Sequence, residues 1–110
     1  MIRYYCSGFD YNNAFGNGLG DMFKSELKDT KSITYIPAGE DRVEKAIEKY
    51  IPIFTEHFKN VDINFEEINV ITPDVSSEEA KDMIKRSSFV FLMGGDPFKQ
   101  LKMCEQLDII

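Results

Sequence analysis

The sequence predicts an α/β fold in three layers, a mostly parallel sheet with helices on both faces. Two observations carry this. Short β-rich runs alternate with amphipathic helical stretches along the chain, which is the pattern of βα units. One late run, Phe89-Val90-Phe91-Leu92-Met93, is five apolar residues long, as expected for a strand buried on both faces in the middle of a parallel sheet. The length of 110 residues fits one domain, residues 1–110. An apolar fraction of 43%, with nine Phe and five Tyr, is enough for a single core and argues against disorder.

The elements follow in order. Residues 2–6 form a β-rich run, followed by a long loop over 7–20 that holds four glycines. Residues 21–28 read as a helix with Met22, Phe23 and Leu27 on one face. Residues 32–36 are a second strand, closed by the turn signal Pro37-Ala38-Gly39. Residues 41–59 are the longest helical pattern. Val43, Ala46, Ile47, Tyr50, Ile51, Phe54 and Phe58 recur at the spacing of one buried stripe. Pro52 interrupts it and predicts a kink or a break, because proline lacks an N–H and clashes with the carbonyl four residues back.

Residues 64–71 are the third strand, with Phe65, Ile68, Val70 and Ile71 as its apolar content. The next helix, over 75–86, has a clear start. Ser76 and Glu79 fit a capping box, and Val75 with Ala80 fits a hydrophobic staple. The apolar strand 89–93 then runs into Gly94-Gly95. Asp96 as N-cap and Pro97 at the first helical position open the last helix, with Phe98, Leu101, Cys104 and Leu107 expected inward.

Four βα units with right-handed crossovers give a flavodoxin-like or Rossmann-like sheet. The sequence ends on Leu107-Asp108-Ile109-Ile110, with no C-cap glycine and no polar tail. The sheet is therefore expected to be truncated after its fourth βα unit. An exposed, hydrophobic last strand of this kind should self-associate.

Charge and cysteine usage narrow the classes. Lys plus Arg is 13 and Asp plus Glu is 19, a net charge of −6, with pI ≈ 4.7. That excludes a dedicated nucleic-acid binder, which needs a basic surface, and disfavours anionic membranes. Cys6 and Cys104 lie far apart, and His57 is the sole histidine, so no structural zinc site is expected. The thiols read as buried and reduced, in a cytoplasmic protein without cofactor or membrane partner. The amino terminus is too short and mixed for a signal peptide, and no apolar run nears the ~20 residues of a membrane span.

The candidate sites are few. Gly16-Asn17-Gly18-Leu19-Gly20-Asp21 precedes a helix, where a phosphate could sit. Its spacing is G-x-G-x-G, it lacks the Lys-Ser/Thr of a P-loop, and its loop is too long, so it reads as a glycine-rich turn. A flavin-binding domain would need a phosphate loop directly after the first strand, which this is not. His57 sits beside Phe54 and Phe58 as an amphipathic core-edge residue. No Gly-x-Ser-x-Gly elbow occurs, so no catalytic triad can be assigned. The acidic residues Glu40, Asp41, Glu44, Glu48, Glu66, Glu67, Glu78 and Glu79 read as helix-start and solvent-facing charges.

Gly94-Gly95-Asp96 stands apart by position. Ligands of open α/β sheets bind beyond the carboxyl ends of the strands. Two glycines there leave backbone N–H groups open to negative charge, including a developing oxyanion. A tight strand-to-helix turn with a capping aspartate explains the same residues equally well.

Ile33-Thr34-Tyr35-Ile36-Pro37-Ala38-Gly39, the amphipathic helix through Tyr50 and Phe54, and above all 89–102 (Phe-Val-Phe-Leu-Met-Gly-Gly-Asp-Pro-Phe-Lys-Gln-Leu-Lys) resemble the dipeptidase E (aspartyl dipeptidase) group of serine peptidases. That group is related to cyanophycinases and has the fold of class I glutamine amidotransferases. The resemblance implies a short-peptide substrate and a serine acyl-enzyme. It implies that Gly94 and Gly95 supply oxyanion N–H groups, with Asp96 next to the substrate. Asp96 stands where that group usually has asparagine, and Pro97 where it has threonine. The nucleophilic serine, histidine and acidic partner have no counterpart in these 110 residues. The resemblance thus covers an N-terminal half, which alone should be inactive. The competing expectation is a non-catalytic α/β domain that binds a ligand or a protein.

Overall fold

The computed structural model describes residues 18–37, 43–93 and 97–108. The expected first strand at 2–6 and most of the loop after it lie outside them. The described elements are α1 (Leu19–Glu26), β1 (Ser32–Ile36), α2 (Val43–Lys45), a π-helical stretch (Ala46–Tyr50), α3 (Ile51–Asn60), β2 (Glu67–Val70), α4 (Ser77–Arg86), β3 (Phe89–Leu92) and α5 (Pro97–Gln106).

The sheet is parallel, in the order β2-β1-β3. In β1 successive side chains point to opposite faces, and both faces are covered. Ile33 and Tyr35 join Phe23 of α1, Phe54 and Phe58 of α3, and Phe91 of β3 in one cluster. Ile36 joins Ile71, Ala80 of α4, and Met103, Cys104 and Leu107 in a second. Helices on both faces of a parallel sheet make the predicted three-layer α/β fold.

Among the described strands the middle one is not the most apolar. The run 89–93, expected in the middle, forms β3 over Phe89–Leu92; among the described residues it pairs with β1 alone, and Leu92 is 62% exposed. The centre of the described sheet is β1, whose five residues are all buried although two are Ser32 and Thr34. Hydroxyls can be buried when they are hydrogen-bonded. Ser32 Oγ donates to Arg86 O at 3.0 Å, and Thr34 Oγ1 meets Ser87 Oγ. Among the described strands, then, burial of the middle one rests on satisfied hydroxyls as well as on apolar content.

Pro52 does not break the long helix. Just before it the helix widens into the π stretch, and Ile51 N–H bonds back five residues to Ala46 O. Pro52 then falls in the first turn of α3, where its missing N–H costs little. The wide turn also shifts the helical phase. Ala46, Ile51, Phe54 and Phe58 remain buried, while Ile47, expected on the same stripe, is 48% exposed.

Helix ends follow local chemistry. Gly18 caps α1 in the left-handed region, with φ +88°. Ser76 Oγ accepts the Glu79 N–H at 3.1 Å, as the capping box requires, and Val75 packs against the cluster that contains Ala80. The chain leaves α3 through a Schellman turn. Ile63 N–H donates to Phe58 O at 2.9 Å and Asp62 N–H to Lys59 O at 3.0 Å, with Asp62 at φ 62°. No helix among the described residues is long and apolar enough to cross a membrane.

Candidate functional site

Gly94, Gly95 and Asp96 themselves lie outside the described residues. What the structure gives is the frame around them, at the carboxyl ends of β1 and β3. Residue 93 is the last before the turn. Met93 is buried, and its N–H donates to Ile36 O at 2.9 Å, extending the β1–β3 pairing by one bond. Pro37, the residue after β1, is fully buried. Residue 97 begins α5, so the turn leads from a strand end directly into a helix start.

One side chain ties these parts together. Gln100, one turn into α5, places Nε2 2.9 Å from Met93 O, 3.1 Å from Ile36 O and 3.3 Å from Pro37 O. This residue was missed in the sequence. Phe98 and Leu101 were expected inward, but Phe98 is 82% and Leu101 48% exposed. The inward stripe is instead Met103, Cys104 and Leu107. Extended back one turn, that stripe lands on position 100, three residues before 103 and four before 104. A glutamine on a buried stripe was the signal available.

The remaining candidates are not brought to this frame. Gly18 and Asp21 belong to the first turn of α1, and Gly16 and Asn17 lie outside the described residues. His57 is on α3, half-buried, its ring 6.4 Å from that of Phe54. Of the acidic set, Glu78 and Glu79 occupy the first turn of α4 and Glu67 pairs with Arg86 at 3.3 Å, while Glu40 and Asp41 lie outside the described residues.

The described serines are engaged in the structure. Ser25 donates to Met22 O at 2.9 Å, and Ser77 to Leu107 O at 2.6 Å. Ser76 caps α4, Ser32 donates to Arg86 O, and Ser87 donates to Met83 O. Ser88 donates to Asp29, and this bond, with the Lys31 backbone N–H, holds the Asp29 carboxyl below its ordinary range. Ser32, Ser87 and Ser88 stand at the amino ends of the strands, opposite the frame.

Two buried groups are shifted by their surroundings. Burial pushes the Tyr35 phenol well above its ordinary range, with a smaller opposing effect from its hydrogen bond to Thr55. Burial likewise pushes the Cys104 thiol up. A cavity of about 80 Å³ lies among Ile33, Tyr35, Thr55, Phe58 and Phe65. It is well under the ~300 Å³ of a small ligand pocket, and neither Met93 nor Gln100 lines it.

The family model for peptidase family S51 matches residues 6–110. That span includes β3, the Gly94-Gly95-Asp96 turn and Gln100. No curated protein and no solved structure matches the chain.

Proposed function

The chain belongs to peptidase family S51, and from that premise we propose that the turn at Gly94, Gly95 and Asp96 is the oxyanion- and substrate-binding turn of a serine-type peptidase for short peptides. The observation that carries this is the family match across a strand-turn-helix whose frame lies at the carboxyl edge of a parallel sheet. Ligand sites of such sheets lie at that edge.

The chemistry follows from the residue types. When a serine attacks a peptide carbonyl, negative charge develops on its oxygen. Backbone N–H groups aimed at that oxygen stabilise the charge without having to reorganise. Glycines allow close approach because no Cβ stands in the way. Among the described residues no serine offers itself as the nucleophile. The 110 residues hold no Gly-x-Ser-x-Gly, and the described serines spend their hydroxyls within the fold. The nucleophile, histidine and acidic partner are to come from other polypeptide.

Two assays test this. The 110-residue chain should neither hydrolyse aspartyl dipeptides nor react with a fluorophosphonate probe; a labelled serine within it overturns the assignment. Placed in the corresponding position of an S51 peptidase that carries its own serine elbow, the chain should support hydrolysis. Gly94→Pro or Gly95→Pro, each deleting one N–H, should then lower kcat by about 10²–10³ with little change in KM. Unchanged kcat in both rules out the oxyanion role.

A second reading has an observation of its own. Leu92 is 62% exposed on a strand that pairs on one side only among the described residues. A non-catalytic α/β domain that self-associates along β3 would use that edge. Light scattering that shows a stable monomer at high concentration removes it.

A further inference from the structure

We infer that Gln100 is a positioning residue at the carboxyl edge of the sheet: its side-chain amide locks the ends of β1 and β3 together and so fixes Met93, the last described residue before Gly94. Its three neighbours are the carbonyl oxygens of Met93, Ile36 and Pro37, at 2.9, 3.1 and 3.3 Å. All three only accept, so the side chain presents its NH2 here and not its oxygen. Two hydrogens shared among three acceptors make at least one bond three-centred. Ile36 O takes a second donor, the Met93 N–H at 2.9 Å, and so fills both lone pairs.

The lock acts on described atoms: Met93 O is held by the Gln100 amide at 2.9 Å, and Met93 N–H by Ile36 O at 2.9 Å, so both sides of Met93 are tied down where β3 ends. Gln100 can hold this position because its helix is itself anchored. Met103, Cys104 and Leu107, on the same stripe, are buried in the second core cluster. Leucine would fill the space but donate nothing, and a carboxylate would face three carbonyls with like partial charge. The link to catalysis rests on the peptidase reading above, whereas the positioning itself does not.

The test is hydrogen exchange by NMR on the 110-residue chain, as protection factors compared at matched pH. In Gln100→Leu the Met93 N–H should lose about tenfold in protection, the equivalent of roughly one hydrogen bond, and the amide shifts of residues 94–96 should move. The Ser88 N–H, bonded to Ser32 O at 2.9 Å at the other end of the same strand pair, should keep its protection. Gln100→Glu should behave like Gln100→Leu at neutral pH. As the pH falls the introduced carboxyl protonates and regains one donor, so Met93 protection and the turn shifts should return toward those of the unmodified chain.

Equal Met93 protection in all three proteins overturns the inference. So does equal loss at Met93 and Ser88, which marks a general packing role. If Gln100→Leu does not fold, the pH response of Gln100→Glu decides alone: a reversible return supports the lock and a flat response removes it. None of these readouts needs hydrolysis. Failure of the peptidase assays with the lock intact removes only the peptidase reading, and the converse holds as well.

Discussion

The two ends of β1 are held by different chemistry. At the amino end many groups share the work. Ser88 Oγ accepts from the Lys31 and Ser32 N–H groups at 3.1 and 3.3 Å, Ser32 Oγ donates to Arg86 O, and Thr34 and Ser87 meet over Met83 O. On the opposite face Phe58 packs against Phe23, Phe65 and Phe89 at centroid distances of 6.3, 5.2 and 5.5 Å. At the carboxyl end, among the described residues, the Gln100 side-chain amide spans both strands beside the Met93 N–H bond to Ile36 O. The difference separates two jobs. Losing one of many ties should lower stability and leave local geometry intact, whereas losing the Gln100 tie should change geometry with a smaller effect on stability.

The largest expected effect lies in the aromatic cluster. Phe58 is buried to 1% exposure and packs against Phe89 at the amino end of β3 and Phe65 just before β2. Phe58→Ala should cost about 3–5 kcal/mol, the usual price of an emptied aromatic site. Urea denaturation should show this as a lower midpoint with an unchanged slope. A loss below about 1 kcal/mol would mean the amino end is not the stability anchor of the fold.

Next comes the hydroxyl network. Thr34 is fully buried, and Ser87→Ala leaves its hydroxyl with only the 3.4 Å contact to Met83 O. A buried hydroxyl left short of partners costs about 1–3 kcal/mol. Met93 protection should follow this global loss and show no extra local change. A selective change at Met93 would mean that the two ends are coupled and the contrast between them false.

A smaller effect is expected from the cap of α4, and it serves as a control at the carboxyl end. Ser76→Ala removes the acceptor for the Glu79 N–H and should cost about 1 kcal/mol. The shifts of residues 94–96 should stay where they are. If they move as far as in Gln100→Leu, any weakening near the strand ends disturbs the turn, and Gln100 has no special role.

These contrasts also show what could be read in the sequence. The alternation of elements, the S-x-x-E start of α4 and the strand-turn-helix at 89–106 rest on local rules, and local rules are written in neighbouring residues. Centrality is not local. Ser32 and Thr34 look like an edge or a surface, and only partners more than 50 residues away, at Arg86 and Ser87, make them interior. The π stretch was half-legible: Pro52 announced a disturbance but not its form. Gln100 was legible as a polar residue on the stripe of Met103, Cys104 and Leu107, and was passed over because Phe98 and Leu101 are more hydrophobic. The proposal for Gly94, Gly95 and Asp96 rests on their place between a strand end and a helix start, which is a local feature of the sequence.

The smallest effect is an acid one, at the amino end. Asp29 is fully exposed, yet the Ser88 hydroxyl and the Lys31 N–H hold its carboxyl below the ordinary 3.8. A carboxyl whose folded pKa is lowered stabilises the fold at pH above its unfolded value and loses that contribution as pH falls through the folded one. The tie between Asp29 and Ser88 should therefore be complete at neutral pH and fade only below about 4. Ser88→Ala removes the larger cause of the shift. The Asp29 carboxyl, followed by its carbon chemical shift, should then titrate closer to its ordinary value, and the acid limb of the stability curve should flatten slightly. Met93 and the turn should not respond over the same range, because Gln100 carries no titrating group. An identical Asp29 midpoint with and without the Ser88 hydroxyl would remove this tie from the amino end and narrow the difference between the two ends by one bond.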